Sequence, residues 1–332
     1  MSSTHYPITR EVAHAASAFA ACSYVGVLYL FSSTRTRPLE IDQKGRRLDR
    51  LNPDILKARL WAVSASSVFS LFLVGLLVRM SSEHQALTSL RDTVKQTLIL
   101  TGLNTVHITS TTDHIRLLLQ PLILTIILFW GVIYTELIIE PKTKDNRPQR
   151  NSKSIINIYV IRALILGPLY EEIVFRGCII GFHLLGKDHQ SSKLELIFTT
   201  PFWFGFGKLI LHLNIFLMSW DWESYRTLGG TRKALMIATI QTLVQFIYTT
   251  IFGWYAAFIY LRTGSVFSAT LCHSFCNYMG LPPLLESMEK FPTKRILIIL
   301  NYLIGLFGFG VLLWYWSTEP NLFPKSSFWV LK

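Results

Sequence analysis

The sequence predicts an all-α, polytopic membrane bundle of about eight transmembrane helices, from three observations. Hydrophobic residues fill 51% of the 332 positions and charged residues only 16%, against roughly 25% charged in a soluble domain. Apolar runs of about 20 residues, the length needed to cross the hydrocarbon, recur along the chain. None of them alternates with period two, as the strands of a membrane barrel do.

The first run, Ala15–Phe31, is weakly apolar, rich in Ala, Ser, Cys and Tyr. It sits where a signal peptide would, but only STRTRPLE follows it, with no small-residue cleavage site, so a retained anchor is expected. Leu60–Val78 and Leu117–Ile139 are the next spans. Between them, the polar stretch Ser81–His114 holds EHQALTSLRDTVKQTLIL, whose helical periodicity suits a helix at the membrane surface. Ile155–Leu185 exceeds one span, and Pro168 marks a place for a break. Leu194–Met218, Ala234–Leu261, Val266–Leu285 and Ile296–Trp316 complete the set, with a polar loop at Ser219–Lys233. No repeat, low-complexity tract or soluble segment interrupts them. Residues 1–332 therefore read as a single integral membrane domain.

The net charge of +12 is concentrated in two loops. Arg35–Arg59 holds eight Lys/Arg and Lys142–Lys153 five. Two spans separate these loops, so both lie on one side, which the positive-inside rule makes cytosolic. Basic charge flanking membrane helices accounts for the high isoelectric point without nucleic acid. The four cysteines all fall inside predicted spans. Buried thiols are expected there, not a secreted disulfide framework.

Ionisable residues at membrane depth cost several kcal/mol unless paired or facing a polar cavity. Three runs carry such residues. In GPLYEEIVFRG (167–177), Glu172 and Arg176 stand at i, i+4, one face of a helix about 40° apart. They are placed to pair. Glu171 points about 140° away from Arg176. A carboxylate in apolar surroundings without a cation holds its proton more tightly, a condition suited to general base or acid chemistry. A single structural cluster of all three charges is the alternative that spacing leaves open.

In LCHSFCNYMG (271–280), His273 and Asn277 also share a face. Two donors converging on one point stabilise an oxyanion, and two polar side chains bonding neighbouring helices is the plainer reading. Cys272 and Cys276 form a second i, i+4 pair, but no further sulfur or histidine lies near enough in sequence to complete a metal site. In TPFWFGFGKLILHLN (200–214), Lys208 and His212 are one turn apart in an aromatic-rich span, and Gly205 and Gly207 permit close approach of a helix or ligand. Three spans each bringing polar groups to depth imply one shared cavity, hence a transporter, a channel or an intramembrane enzyme.

EEIVFRG carries the EExxxR pattern and HSFCN the HxxxN pattern of the CAAX-protease and bacteriocin-processing superfamily. FGWYAAFIYLRTG and RTGSVFSATLCHSFCNYMGLP more closely resemble its eukaryotic Ras-converting, or type II, CAAX endopeptidases. The resemblance covers about residues 155–285. It implies a multi-pass, eight-helix protein of the endoplasmic reticulum membrane that removes the last three residues of farnesylated or geranylgeranylated CAAX proteins such as Ras-like GTPases. The implied chemistry needs no cofactor, metal or covalent nucleophile. By this resemblance Glu171 activates water, Glu172 and Arg176 support it, and His273 with Asn277 forms the oxyanion site.

One motif departs. The family's FxxxH is here Phe204 followed by Lys208. His212 lies one further turn along, about 6 Å up the axis. A charged Lys208 beside Glu171 makes it a weaker base, whereas a neutral one accepts a proton as histidine does. An active endopeptidase is the leading expectation. A family member that binds prenylated proteins with impaired cleavage is the second, and a transporter the third. The aromatics Trp203, Phe204 and Phe206 are expected mainly in core packing.

Overall fold

The computed structural model describes residues 8–35, 37–41, 47–48, 52–81, 89–105, 110–139, 158–185, 192–215, 231–318 and 326–330. For residues 206–215, both short strands and some positions between 234 and 245, the description is of backbone alone. The basic loop Lys142–Lys153 lies outside the described residues.

Helix α1 (Arg10–Leu30) starts at Thr9, whose side chain accepts from the Val12 N–H. Its small face of Ala13, Ala16, Ala20 and Ala21 is buried. A short antiparallel pair, β1 (Arg37–Ile41) and β2 (Arg47–Leu48), leads to α2 (Pro53–Met80). Asn52 caps α2 by accepting from the Asp54 N–H at 3.0 Å, and Pro53 fits the first turn, where no N–H is needed. Ser23 of α1 and Ser66 of α2 bond across the interface at 2.9 Å, the polar contact expected where small residues bring membrane helices close.

Helix α3 (Leu90–Leu100) carries the periodicity read in Ser81–His114. It is not a purely superficial helix. Thr93, Thr97 and Leu100 are buried, α3 packs on α2, and the Leu100 carbonyl accepts from Tyr260 Oη at 2.7 Å. The third expected span begins six residues early as α4 (Thr111–Leu128), with Pro121 inside it, and continues as α5 (Trp130–Tyr134) into a π-turn, Thr135–Ile139.

Helix α6 (158–184) follows without a break at Pro168. It changes register instead, through a π-segment Arg162–Leu166, an α-turn Gly167–Glu172, a second π-segment Ile173–Cys178 and a last α-turn Ile179–Leu184. Helices α7 (Lys193–Ile215), α8 (Arg232–Thr263), α9 (Val266–Met279), α10 (Leu284–Lys290) and α11 (Arg295–Thr318) complete the order. Gly205 of α7 admits the α8 ring of Phe246, which a Cβ there would meet at 2.8 Å. Gly207 falls where only backbone is described.

The fold is all-α apart from the strand pair, as expected. Among the described residues four helices are long and apolar enough to cross a membrane: Arg10–Leu30, Pro53–Met80, Thr111–Leu128 and the stretch Pro292–Thr318. Large apolar side chains such as Phe72, Phe307 and Trp314 project outward, the inverse of a water-soluble surface. The core lies around α6, which contacts α1, α2, α7, α8 and α9. Every residue from Glu172 to Phe182 is buried.

A final turn, Ser327–Val330, folds back onto the end of α8. Phe328 stacks on Tyr260 with ring centres 5.8 Å apart. Trp329 lies between the Lys193 ammonium at 5.1 Å and the Arg262 guanidinium at 5.2 Å, so one indole joins the start of α7 to the end of α8.

Candidate active site

Four of the residues singled out in the sequence meet between α6 and α9. Arg176 Nη1 donates to Glu172 Oε1 at 3.0 Å, the i, i+4 pairing that the spacing predicts. Glu172 has no exposed side-chain surface and Arg176 keeps 9%, so the pair satisfies the condition for burying charge at depth. Glu171, one residue earlier, turns away and keeps 33% of its side chain exposed.

His273 reaches both carboxylates from α9. Its Nδ1 lies 2.7 Å from Glu172 Oε1, and its Nε2 lies 3.7 Å from Glu171 Oε2. An ionised carboxylate only accepts, so Nδ1 is the donor in the short contact. The second separation is too long for a direct hydrogen bond. It leaves room for a water or substrate oxygen touching both groups. With His273 in its charged form, Glu171, Glu172, Arg176 and His273 sum to zero charge. The open alternative of one ionic cluster is thus partly realised: His273 bonds Glu172 and lies 3.7 Å from Glu171, while among the described residues Arg176 pairs with Glu172.

Asn277 is one turn further on α9, and its Nδ2 donates to the Ala163 carbonyl of α6 at 3.1 Å. His273 and Asn277 share a face of α9 as expected, yet each is held by a different partner on α6. Lys208 and His212 belong to the backbone of α7, but their side chains lie outside the described residues. Within the same helix, Trp203 packs near His14 at 5.9 Å and Phe204 sits edge-on to Phe175 at 4.7 Å, which is core packing. Phe206 lies outside the described side chains. Cys272 and Cys276 are buried free thiols.

Phe252 of α8 was not among the sequence candidates. Its ring centre lies 4.8 Å from that of His273 and 5.8 Å from the Arg176 guanidinium carbon. It therefore lines the two donors that converge on Glu172. Its only sequence signal is its place at the head of FGWYAAFIYLRTG. The π-segments on both sides of the glutamates went equally unread, although such segments recur at functional sites.

A helical membrane protein with two carboxylates, an arginine and a histidine gathered inside its bundle is the class defined by this fold and site. The chain belongs to the type II CAAX prenyl endopeptidase family. The family profile described as Type II CAAX prenyl endopeptidase Rce1-like matches residues 153–279, which contain all seven candidate residues. The protein named Probable CAAX prenyl protease 2 of Schizosaccharomyces pombe is 30% identical over 315 residues, 93% of this chain and 98% of the relative. CAAX prenyl protease 2 of Homo sapiens is 30% identical over 317 residues, 94% of this chain and 82% of the relative. That of Arabidopsis thaliana is 35% identical over 174 residues, 52% and 49% of the two chains. No solved structure gives a significant match.

Proposed function

We propose that this protein is an endopeptidase of the endoplasmic reticulum membrane that removes the C-terminal tripeptide from farnesylated or geranylgeranylated CAAX proteins, Ras-like GTPases among them. The observation that carries the reading is the unequal placement of the two glutamates. Glu172 is buried and braced by two donors, while Glu171 keeps 33% of its side chain exposed and, among the described residues, approaches His273 no closer than 3.7 Å. That division suits a supporting carboxylate beside a working one. The relatives' names supply the substrate class.

In this mechanism a water bound at Glu171 gives up a proton to the carboxylate and attacks the scissile carbonyl carbon. The carbonyl π electrons move to oxygen, and Asn277 with His273 stabilises the resulting oxyanion. The oxyanion collapses, the C–N bond breaks and the proton held by Glu171 passes to the leaving amine of the tripeptide. His273 donates to Glu172 through Nδ1, so it presents a proton at Nε2 only as imidazolium. Arg176 acts through Glu172 and never meets the substrate.

The second reading is a member that holds prenylated proteins without efficient cleavage, favoured by Lys208 at the position of the family's motif histidine. Single-turnover cleavage of a farnesylated CAAX peptide in proteoliposomes separates the two. Cleavage by the wild type that is lost in Glu171→Ala supports the protease. No cleavage by the wild type, with gain in Lys208→His, establishes the impaired member. Loss in His212→Ala assigns His212 the displaced histidine's role.

A further inference from the structure

The register change at the start of α6 leaves one carbonyl without its helical donor. In an α-helix the Ala163 carbonyl would accept from the N–H of residue 167. The Gly167 N–H goes instead to Arg162, five residues back. In the π-register the donor for Ala163 would be residue 168. That residue is Pro168, which has no N–H. Both helical partners are removed at once, and the donor that takes their place is Asn277 Nδ2, at 3.1 Å. Glycine is needed at 167 because a Cβ there would stand 2.6 Å from the Arg162 oxygen.

We infer that Gly167–Pro168 is a positioning device that frees the Ala163 carbonyl to seat Asn277 nitrogen-first. A carboxamide has two N–H donors on one nitrogen. Held by one of them, Asn277 keeps the other N–H free to donate to a substrate oxygen, and the residue is exposed. The same two residues open the GPLYEE turn that carries the glutamates, so a single register change in α6 serves both halves of the site. The catalytic consequence rests on the reading of Asn277 as an oxyanion donor; the contact itself does not.

Pro168→Ala returns an N–H that competes for the Ala163 carbonyl. The expected result is a kcat on farnesylated CAAX peptide about tenfold lower with KM within about twofold, because an oxyanion donor acts in the transition state. Gly167→Ala forces its own N–H away from Arg162 and toward Ala163, and produces the same kcat-only loss. The contact has a readout independent of activity, the unfolding midpoint in detergent micelles. Asn277→Ala lowers that midpoint in the wild-type background and lowers it less than half as much in the Pro168→Ala background. Equal drops in both backgrounds, or unchanged kcat in both Pro168→Ala and Gly167→Ala, overturn the proposal. If the wild type cleaves nothing but the coupling is present, the protease reading falls while the seating of Asn277 is supported.

Discussion

One oxygen of Glu172 holds two donors: Arg176 Nη1 at 3.0 Å from its own helix and His273 Nδ1 at 2.7 Å from α9. The other oxygen is buried and has no hydrogen-bond partner among the described residues. The carboxylate therefore joins α6 to α9 at a single atom, and the two glutamates respond differently to substitution.

Removing Glu172 strands the Arg176 charge, and removing Arg176 leaves the buried Glu172 with His273 as its one donor among the described residues. Glu172→Ala and Arg176→Ala are each expected to cost about 3–5 kcal/mol, read as loss of folded protein in a denaturant titration in micelles. Glu171→Gln is expected to leave that titration within about 0.5 kcal/mol of wild type, since its side chain is one-third exposed. It should lower single-turnover cleavage by about 10²–10⁴-fold, the range for a lost general base. The reverse order, with Glu172→Gln more damaging to chemistry at equal folding, overturns the division of roles.

Arg176→Lys keeps the charge and loses the geometry. The guanidinium both donates to Glu172 and lies against the Phe252 ring. An ammonium cannot reproduce that planar contact. We expect folded protein at near wild-type yield and a kcat lower by up to about 100-fold, through displacement of the groups that Arg176 holds.

Phe252 lines His273 as well as Arg176. Ring contacts of this kind contribute about 0.5–1.5 kcal/mol beyond area burial. Phe252→Leu is expected to lose about that much stability and to lower kcat more than it raises KM. Phe252→Tyr should retain both. A Tyr variant as impaired as the Leu variant would show that ring shape, not the aromatic face, is what matters.

Much of this site is legible along a single helix and little of it between helices. The Glu172–Arg176 pair follows from spacing, because residues four apart share a face whatever surrounds them. His273 stands 101 residues from Glu172, and its use of Nδ1 for that glutamate is set by how α9 packs on α6. No local pattern encodes that choice. The register changes at Arg162–Leu166 and Ile173–Cys178 leave no compositional trace, so Pro168 reads as a possible break when it is part of a continuous helix. The helix at Leu90–Leu100 has an amphipathic sequence compatible with a membrane surface, yet its threonines turn inward and bond their own backbone, Thr97 to the Thr93 carbonyl at 2.8 Å. Gly205 was readable because close approach has a glycine signature.

The terminal turn offers a test remote from the chemistry. Phe328 is 8% exposed and stacked on Tyr260. Phe328→Ala is expected to cost about 3–5 kcal/mol, the usual range for emptying a buried aromatic site. It should leave kcat unchanged for whatever fraction stays folded, as active-site titration of the purified protein would show.

The burial of α6 bears on how the proposed lipid-tailed substrate would reach the carboxylates. A close-packed interior yields by parting along interfaces, not by deforming one element. The helix that carries both glutamates is walled by five others and buried from Glu172 to Phe182. Under the proposed function, a route to the carboxylates is therefore sought between α6 and its neighbours rather than through α6 itself. If the protease reading holds, a ligand lodged between α6 and those neighbours would slow turnover without touching the carboxylates, so the seams around the charged centre offer an inhibitor a grip of their own.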